Sequence, residues 1–225
     1  MSFVKTFLKK MLFAGGLLAA VKKLIDKKPT IIIGNQNKIT NNGIFKNVSF
    51  DIIGNNNTIL IGKNTIVSNT LIFIRGDHHR IIIGENCFMG KGELWIEDDH
   101  CSLVIHSFTT IEHAHLAVTE PFSVIEIYND CMLSNQIEIR TGDSHSIIDM
   151  QTGKRINHAA NVTLQEHVWV GAHAKILKGV TIGNNTVIAT GAVVTGDIPP
   201  HSIAAGIPAK VIKTSTDWKR ERNID

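Results

Sequence analysis

The chain has 225 residues, is 43% apolar and 19% charged, and carries a net charge of +3. That is enough for one large domain with a real core or for two small ones, and it excludes a disordered, low-complexity or collagenous chain. Ile and Val number 34 and 15 against 13 Leu, beside 18 Asn and 18 Gly. This excess of β-branched and turn-forming residues argues against an all-helical fold.

Residues 1–28 hold seven Lys and one Asp, and in them Val4, Phe7, Leu8, Met11, Ala14, Leu18, Val21 and Ile25 recur mostly three and four apart. The spacing predicts an amphipathic basic helix over 1–28, ended by Pro29. Its uncharged run from Met11 to Val21 is eleven residues, too short to span a bilayer. Two readings stay open: a helix packed on the main body or at a subunit contact, or an interfacial helix on an anionic membrane surface. A secretion signal is a third, opposed by Lys22 and Lys23 where a small-residue cleavage site belongs.

Residues 29–225 hold 16 basic and 19 acidic residues. The body therefore lacks the basic excess of a nucleic-acid binder. Cys87, Cys101 and Cys131 are odd in number and have no CxxC spacing. They read as buried thiols in a reducing compartment, which places the chain in the cytoplasm, with a peripheral position at the inner membrane if the helix binds lipid.

After Pro29 a repeat begins. Leu164, Val170, Ile176, Ile182, Ile188 and Val194 lie six apart without a slip, and aliphatic-Gly pairs recur at Ile33-Gly34, Ile53-Gly54, Ile61-Gly62 and Ile83-Gly84. A period of six is that of a hexapeptide β-solenoid, with one inward aliphatic per unit and Gly or Asn at corners of positive φ. Three units make a triangular coil of eighteen residues, so the span 30–212 has room for about ten coils. A sandwich, the competing fold, has no reason to place aliphatics six apart. The period is weakest at 67–82 and absent between Ile139 and Leu164, whose intervening residues read as a loop leaving a rigid scaffold. The tail 214–225 predicts one short helix capped by Ser215 or Thr216.

The runs Trp169-Val-Gly, Thr195-Gly-Asp-Ile-Pro-Pro200 and Gly206-Ile-Pro-Ala-Lys210, in that order behind the repeat, resemble the left-handed β-helix hexapeptide-repeat acyltransferases. Within them the chain is most similar to bacterial polysaccharide O-acetyltransferases, including the capsule-modifying enzymes that act on polysialic acid. The resemblance implies an all-β left-handed parallel β-helix over 29–213, acetyl-CoA as donor, a carbohydrate acceptor, a homotrimer with sites between subunits, and a catalytic His in a loop ahead of the Trp strand. Here that match is His145, in Asp143-Ser-His-Ser.

Sugar O-acetylation needs a base for the hydroxyl proton, donors for the oxyanion and both substrates in line. His145 suits the first task and lies between Asp143 and Asp149, either of which could orient its ring, Asp143 being favoured. Trp169 alternates with Val168 and Val170, so it points outward; the resemblance sets it against the acetyl-CoA arm. By the same resemblance Ala172, Thr190 and Thr195 meet the pantetheine and Lys210 and Lys213 the nucleotide phosphates. Thr190 stands where Ala is usual, and Gly196 where Lys is usual. His113 and His115, two apart on a strand, project to one face, but no third ligand accompanies them and no metal site is predicted. Without a P-loop, GxSxG elbow or Cys–His pair, direct transfer fits better than a covalent route. The competing readings are an N-acetyl or longer-chain acyltransferase on a small sugar, and a non-catalytic solenoid scaffold.

Overall fold

The computed structural model describes residues 30–222. The helix expected over 1–28 lies outside the described residues. Among those described, every regular element is a strand, from Ile31–Ile33 to Ala209–Thr214. The strands stack in parallel as a left-handed β-helix of about seven turns, closed by one antiparallel pairing of Ser202–Gly206 with Ala209–Thr214.

The prism has three faces. The first is a seven-stranded sheet from Lys38–Asn41 through Ser102–Ile105 to Thr181–Ile182. The second, the long-strand face, includes Ser49–Ile53, Thr70–Arg75, Ile137–Arg140 and Lys175–Ile176. The third, here the tail face, includes Ile66–Ser68, Met132–Leu133, Trp169–Val170 and Val187–Ile188. Phe88–Ile96 and Thr110–Val118 bend round a corner and serve both of the latter faces.

The inward aliphatics from Leu164 to Val194 are all fully buried, so the six-residue period is the core itself. Coil length, however, is not constant. Trp169 pairs with Val187 and Lys175 with Val193, eighteen positions on. Earlier, Ser49 pairs with Leu71, Leu71 with Glu93 and Glu93 with His115, each 22 positions on. The difference lies on the long-strand face, where Thr70, Ile72 and Ile74 all point inward with period two. The expected ten coils therefore become about seven. The stretch 67–82, where the six-residue period fades, is an ordinary coil containing Thr70–Arg75 and Arg80–Ile83.

Tight corners leave inward-facing amides that need partners. Stacked side chains supply them: Asn57 Oδ1 accepts the His79 N–H at 2.9 Å, and His79 Nδ1 accepts the Cys101 N–H at 3.1 Å. The three thiols are buried, and each donates to a carbonyl one coil on: Cys87 to His106, Cys101 to Glu120 and Cys131 to Gln165. Burial pushes Cys101 up to about 11 and Cys131 up to about 12, so neither forms a thiolate nucleophile at neutral pH. Asn56, Asn64 and Asn86 hold outer corners in the left-handed region, at φ 58°, 56° and 57°, a region Asn tolerates through its short polar side chain.

Gly54 is one place where no other residue fits. Its φ is +147°, and a Cβ there would stand 1.8 Å from the Gly76 carbonyl oxygen of the next coil. Gly54→Ala is expected to cost at least about 1–3 kcal/mol from backbone conformation alone. A lowered midpoint in thermal unfolding checks this; an unchanged midpoint refutes it.

The C-terminal tail forms no helix over its described residues 214–222. It turns at Ser215, φ 57°, and lies extended on the tail face. Trp218 is 6% exposed, and Arg220 donates to the Phe108, Asp130 and Cys131 carbonyls and to Thr110 Oγ1. Residues two apart share a side only in extended chain. A helix would turn one of these two anchors away, and their combined contacts override the local propensity.

Candidate active site

The chain leaves the prism after Ile137–Arg140, at the corner between the long-strand face and the seven-stranded face, and rejoins it at Val162–Leu164. Thr141 fixes the exit: its Oγ1 accepts the Thr119 N–H at 2.9 Å and donates to the Thr119 carbonyl at 3.0 Å. Asn157, 7% exposed, organises the loop. Its Nδ2 donates to Asp143 Oδ2 at 2.9 Å and to the His145 carbonyl at 2.8 Å. Its Oδ1 accepts the Ile147 N–H at 2.7 Å and Arg155 Nε at 3.1 Å. Lys178, one coil on, pairs with Asp143 and donates to the Asn157 carbonyl at 2.9 Å. Arg155 pairs in turn with Glu120.

This frame presents His145 exposed to solvent. The His145 N–H reaches the Asp143 carbonyl at 2.8 Å across Ser144, whose φ is 65°. That γ-turn is a strained conformation of the kind that collects at functional sites. Asp143 does not meet the imidazole as expected. Lys178 first, then Asn157, occupy its carboxylate and hold it below its ordinary pKa. Asp143 thus acts on His145 through Asn157 and the backbone. Asp149 is spent on its own turn, accepting the Gln151 and Thr152 N–H groups at 3.0 and 2.7 Å. Among the described residues no carboxylate hydrogen-bonds the His145 ring.

Trp169 points outward, 37% exposed, while Val170 is fully buried. It lies on the tail face, away from the corner that carries His145. Its neighbour is Trp218 of the tail, ring centres 5.9 Å apart. Trp218 stacks on His167 at 4.1 Å and donates from Nε1 to the His167 carbonyl at 2.8 Å. Ala172 and Thr190 sit at one edge of the tail face, where the Ala172 carbonyl accepts the Gly191 N–H. Lys210 and Lys213 are exposed on Ala209–Thr214 of the same sheet. Thr195 stands apart, just past Val193–Val194 on the long-strand face.

His167 holds the tail electrostatically. Burial alone would lower its pKa, but the Trp218 carbonyl and Asp130, 2.7 Å from Nδ1, raise it overall. A raised folded-state pKa contributes stability present below the ordinary value near 6.5 and lost as pH rises through the elevated one. Tryptic cleavage at Lys219 and Arg220 is therefore expected to quicken as pH rises above about 6.5, relative to a peptide of the same sequence. A flat ratio refutes this.

His113 and His115 both face outward, with separate partners: Asn135 Oδ1 at 3.2 Å and Glu93 Oε2 at 3.2 Å. Among the described residues no group of three His, Cys, Asp or Glu side chains is placed to hold a metal ion. His115 instead lines a cavity of about 230 Å³ on the long-strand face, with Trp95, Arg140 and Ser144. Alternation would have found Trp95, which sits between buried Leu94 and Ile96. Asn157 lies outside the repeat, and Lys178 lies inside it at a position the six-residue period leaves unmarked.

Residues 161–196 match the bacterial transferase hexapeptide model. A polysialic acid O-acetyltransferase of Neisseria meningitidis is 33% identical over 147 residues, 65% of this chain and 67% of that one. The chain belongs to the hexapeptide-repeat acyltransferase family. A polysialic acid O-acetyltransferase of Escherichia coli O1:K1 / APEC is 36% identical over 118 residues, 52% of this chain, and the match spans only 38% of that relative. In three dimensions the family likeness extends further. The crystal structure of the polysialic acid O-acetyltransferase OatWY superposes with a TM-score of 0.80 at 31% identity, covering 86% of this chain and 93% of that one.

Proposed function

We propose that this chain transfers an acetyl group from acetyl-CoA to a hydroxyl of a bacterial cell-surface polysaccharide, with His145 as general base. One observation carries the reading: exposed His145, held through its backbone by buried Asn157, directly follows Ser144, which lines a cavity on the long-strand face. The similarity to polysialic acid O-acetyltransferases supports the acceptor class. His145 takes the hydroxyl proton as the oxygen attacks the thioester carbonyl. The tetrahedral oxyanion rests on a backbone N–H. The C–S bond then breaks, and the imidazolium returns its proton to the CoA thiolate. The raised thiol pKa values favour this direct route over an acyl-cysteine.

His145 stands at one corner of the prism and Trp169 on the face away from it, so the site is completed between copies, in a homotrimer. The loop supports this assembly: Ile147, Ile148, Met150 and Ile156 are all exposed, Met150 at 99%. Large apolar side chains so placed call for cover. Ile148→Asp with Met150→Asp is expected to shift the protein to monomer in light scattering and to abolish activity; a trimer that survives the double change refutes this arrangement.

The function is tested by thiol release from acetyl-CoA with polysialic acid, neutral capsular polysaccharides and simple sugars. Release that depends on one polysaccharide supports the reading. Release with an amino sugar alone favours the N-acyl alternative. Failure of acetyl-CoA to bind at all leaves the scaffold.

A further inference from the structure

On the long-strand face one outward column runs Phe73, Trp95, Ala117, Arg140, each in register with the next. Phe73 and Trp95 stack at 3.6 Å, and the Arg75 guanidinium covers Phe73 at 3.9 Å. The stack stops at Ala117. Stacked strands are about 4.8 Å apart, so the Trp95 and Arg140 positions are about 9.6 Å apart along the prism, with the Ala117 methyl group on the strand between them and His115 at the side. One saccharide ring needs about 3.5–4.0 Å of contact on each side and fits that gap. The gap is the cavity of about 230 Å³, with Glu97 and Thr119 on its rim and Ser144, next to His145, at its end.

Among the described residues Arg140 is not fully satisfied. Its Nη2 pairs with Glu138, which also holds Lys175 at 3.0 Å, but its Nε–H is buried with no partner among them. The Arg140 side chain is nevertheless 34% exposed and lines the cavity, so its open guanidinium donors suit an anionic acceptor. Glu97 and Thr119 can take sugar hydroxyls, and the Trp95 face can take the apolar side of a pyranose.

We propose that the Trp95–Ala117–Arg140 slot is an acceptor subsite, in which one ring of an acidic polysaccharide lies on the indole with its carboxylate against Arg140. This rests on the transferase reading and names the residues that select the acceptor. The slot places the ring at the mouth of the loop, where a hydroxyl meets the His145 imidazole.

The test is direct binding without acetyl-CoA. Titration calorimetry would compare a sialic acid oligomer with the same oligomer after reduction of its carboxyl groups. The wild-type protein is expected to bind the acidic form at least tenfold more tightly. Arg140→Gln should erase that preference. Ala117→Leu, which fills the slot and leaves every charge in place, should weaken both at least tenfold, with an unchanged circular dichroism spectrum. If Ala117→Leu does not fold, the Arg140→Gln comparison decides alone. Wild-type affinity in both variants, or a wild-type protein that fails to bind the acidic oligomer or to prefer it, overturns the proposal. Thiol release on the same samples separates the two readings. Ala117→Leu transferring at the wild-type rate sinks the slot and spares the transferase; a wild-type protein that binds the oligomer but releases no thiol does the reverse.

Discussion

His145→Ala is expected to lower acceptor-dependent CoA release by about 10²–10⁴-fold, the usual contribution of a positioned general base. The loss should fall on kcat, because the side chain acts on a proton in flight and not on either bound substrate. Folding should be unaffected. His145 is exposed, and its ties to the loop run through its own N–H and carbonyl, to Asp143 and Asn157, both of which alanine keeps. Trimer content and thermal midpoint are the controls. Retention of more than a tenth of wild-type turnover would remove His145 from the mechanism.

Asn157→Ala should come close to that effect without touching a reacting atom. The change deletes the two donors that hold Asp143 and the His145 carbonyl and the acceptor shared by Ile147 and Arg155. These bonds are part-buried, so each one lost costs about 0.5–1.5 kcal/mol. The loop then has a lower-energy path than the strained γ-turn at Ser144, and His145 shifts. A displacement of about 1 Å at a reacting group costs about 10²-fold in rate. The expected signature is a fall in kcat of that size with an unchanged KM for acetyl-CoA, because every position assigned to the donor except Thr195 lies on the tail face. The thermal midpoint of the solenoid should move little, since Asn157 lies outside its core. An equal rise in KM and loss of midpoint would make Asn157 merely structural.

The solenoid and much of its core were legible because one inward aliphatic per six residues is a property of the chain alone, as Leu164 to Val194 illustrate. The longer coils were not. Where Thr70, Ile72 and Ile74 all point inward, the period switches to two inside a single strand, and a six-residue ruler slips. The loop that carries His145 was legible as a break in the period, but the partner of Asp143 was not: it meets Lys178, which is 35 positions away and carries no pattern. The tail misled for a related reason. Ser215 and Thr216 cap helices in isolation, yet Trp218 and Arg220 had the solenoid to bind.

The 22-residue coils before the slot bear on how such chains change in descent. Ser49 and Leu71 occupy the same place in consecutive coils, so loss of residues 49–70 hands the ladder on unbroken and leaves Phe73, Trp95, Ala117 and Arg140 where they were. Whole coils there are units that replication slippage can add or drop, and relatives can differ in N-terminal length by multiples of 22 residues at little cost. A single inserted residue between Trp95 and Ala117 is another matter: it turns the methyl rung inward and an aliphatic outward into the gap. Length is thus free to drift on one side of the slot and frozen across it.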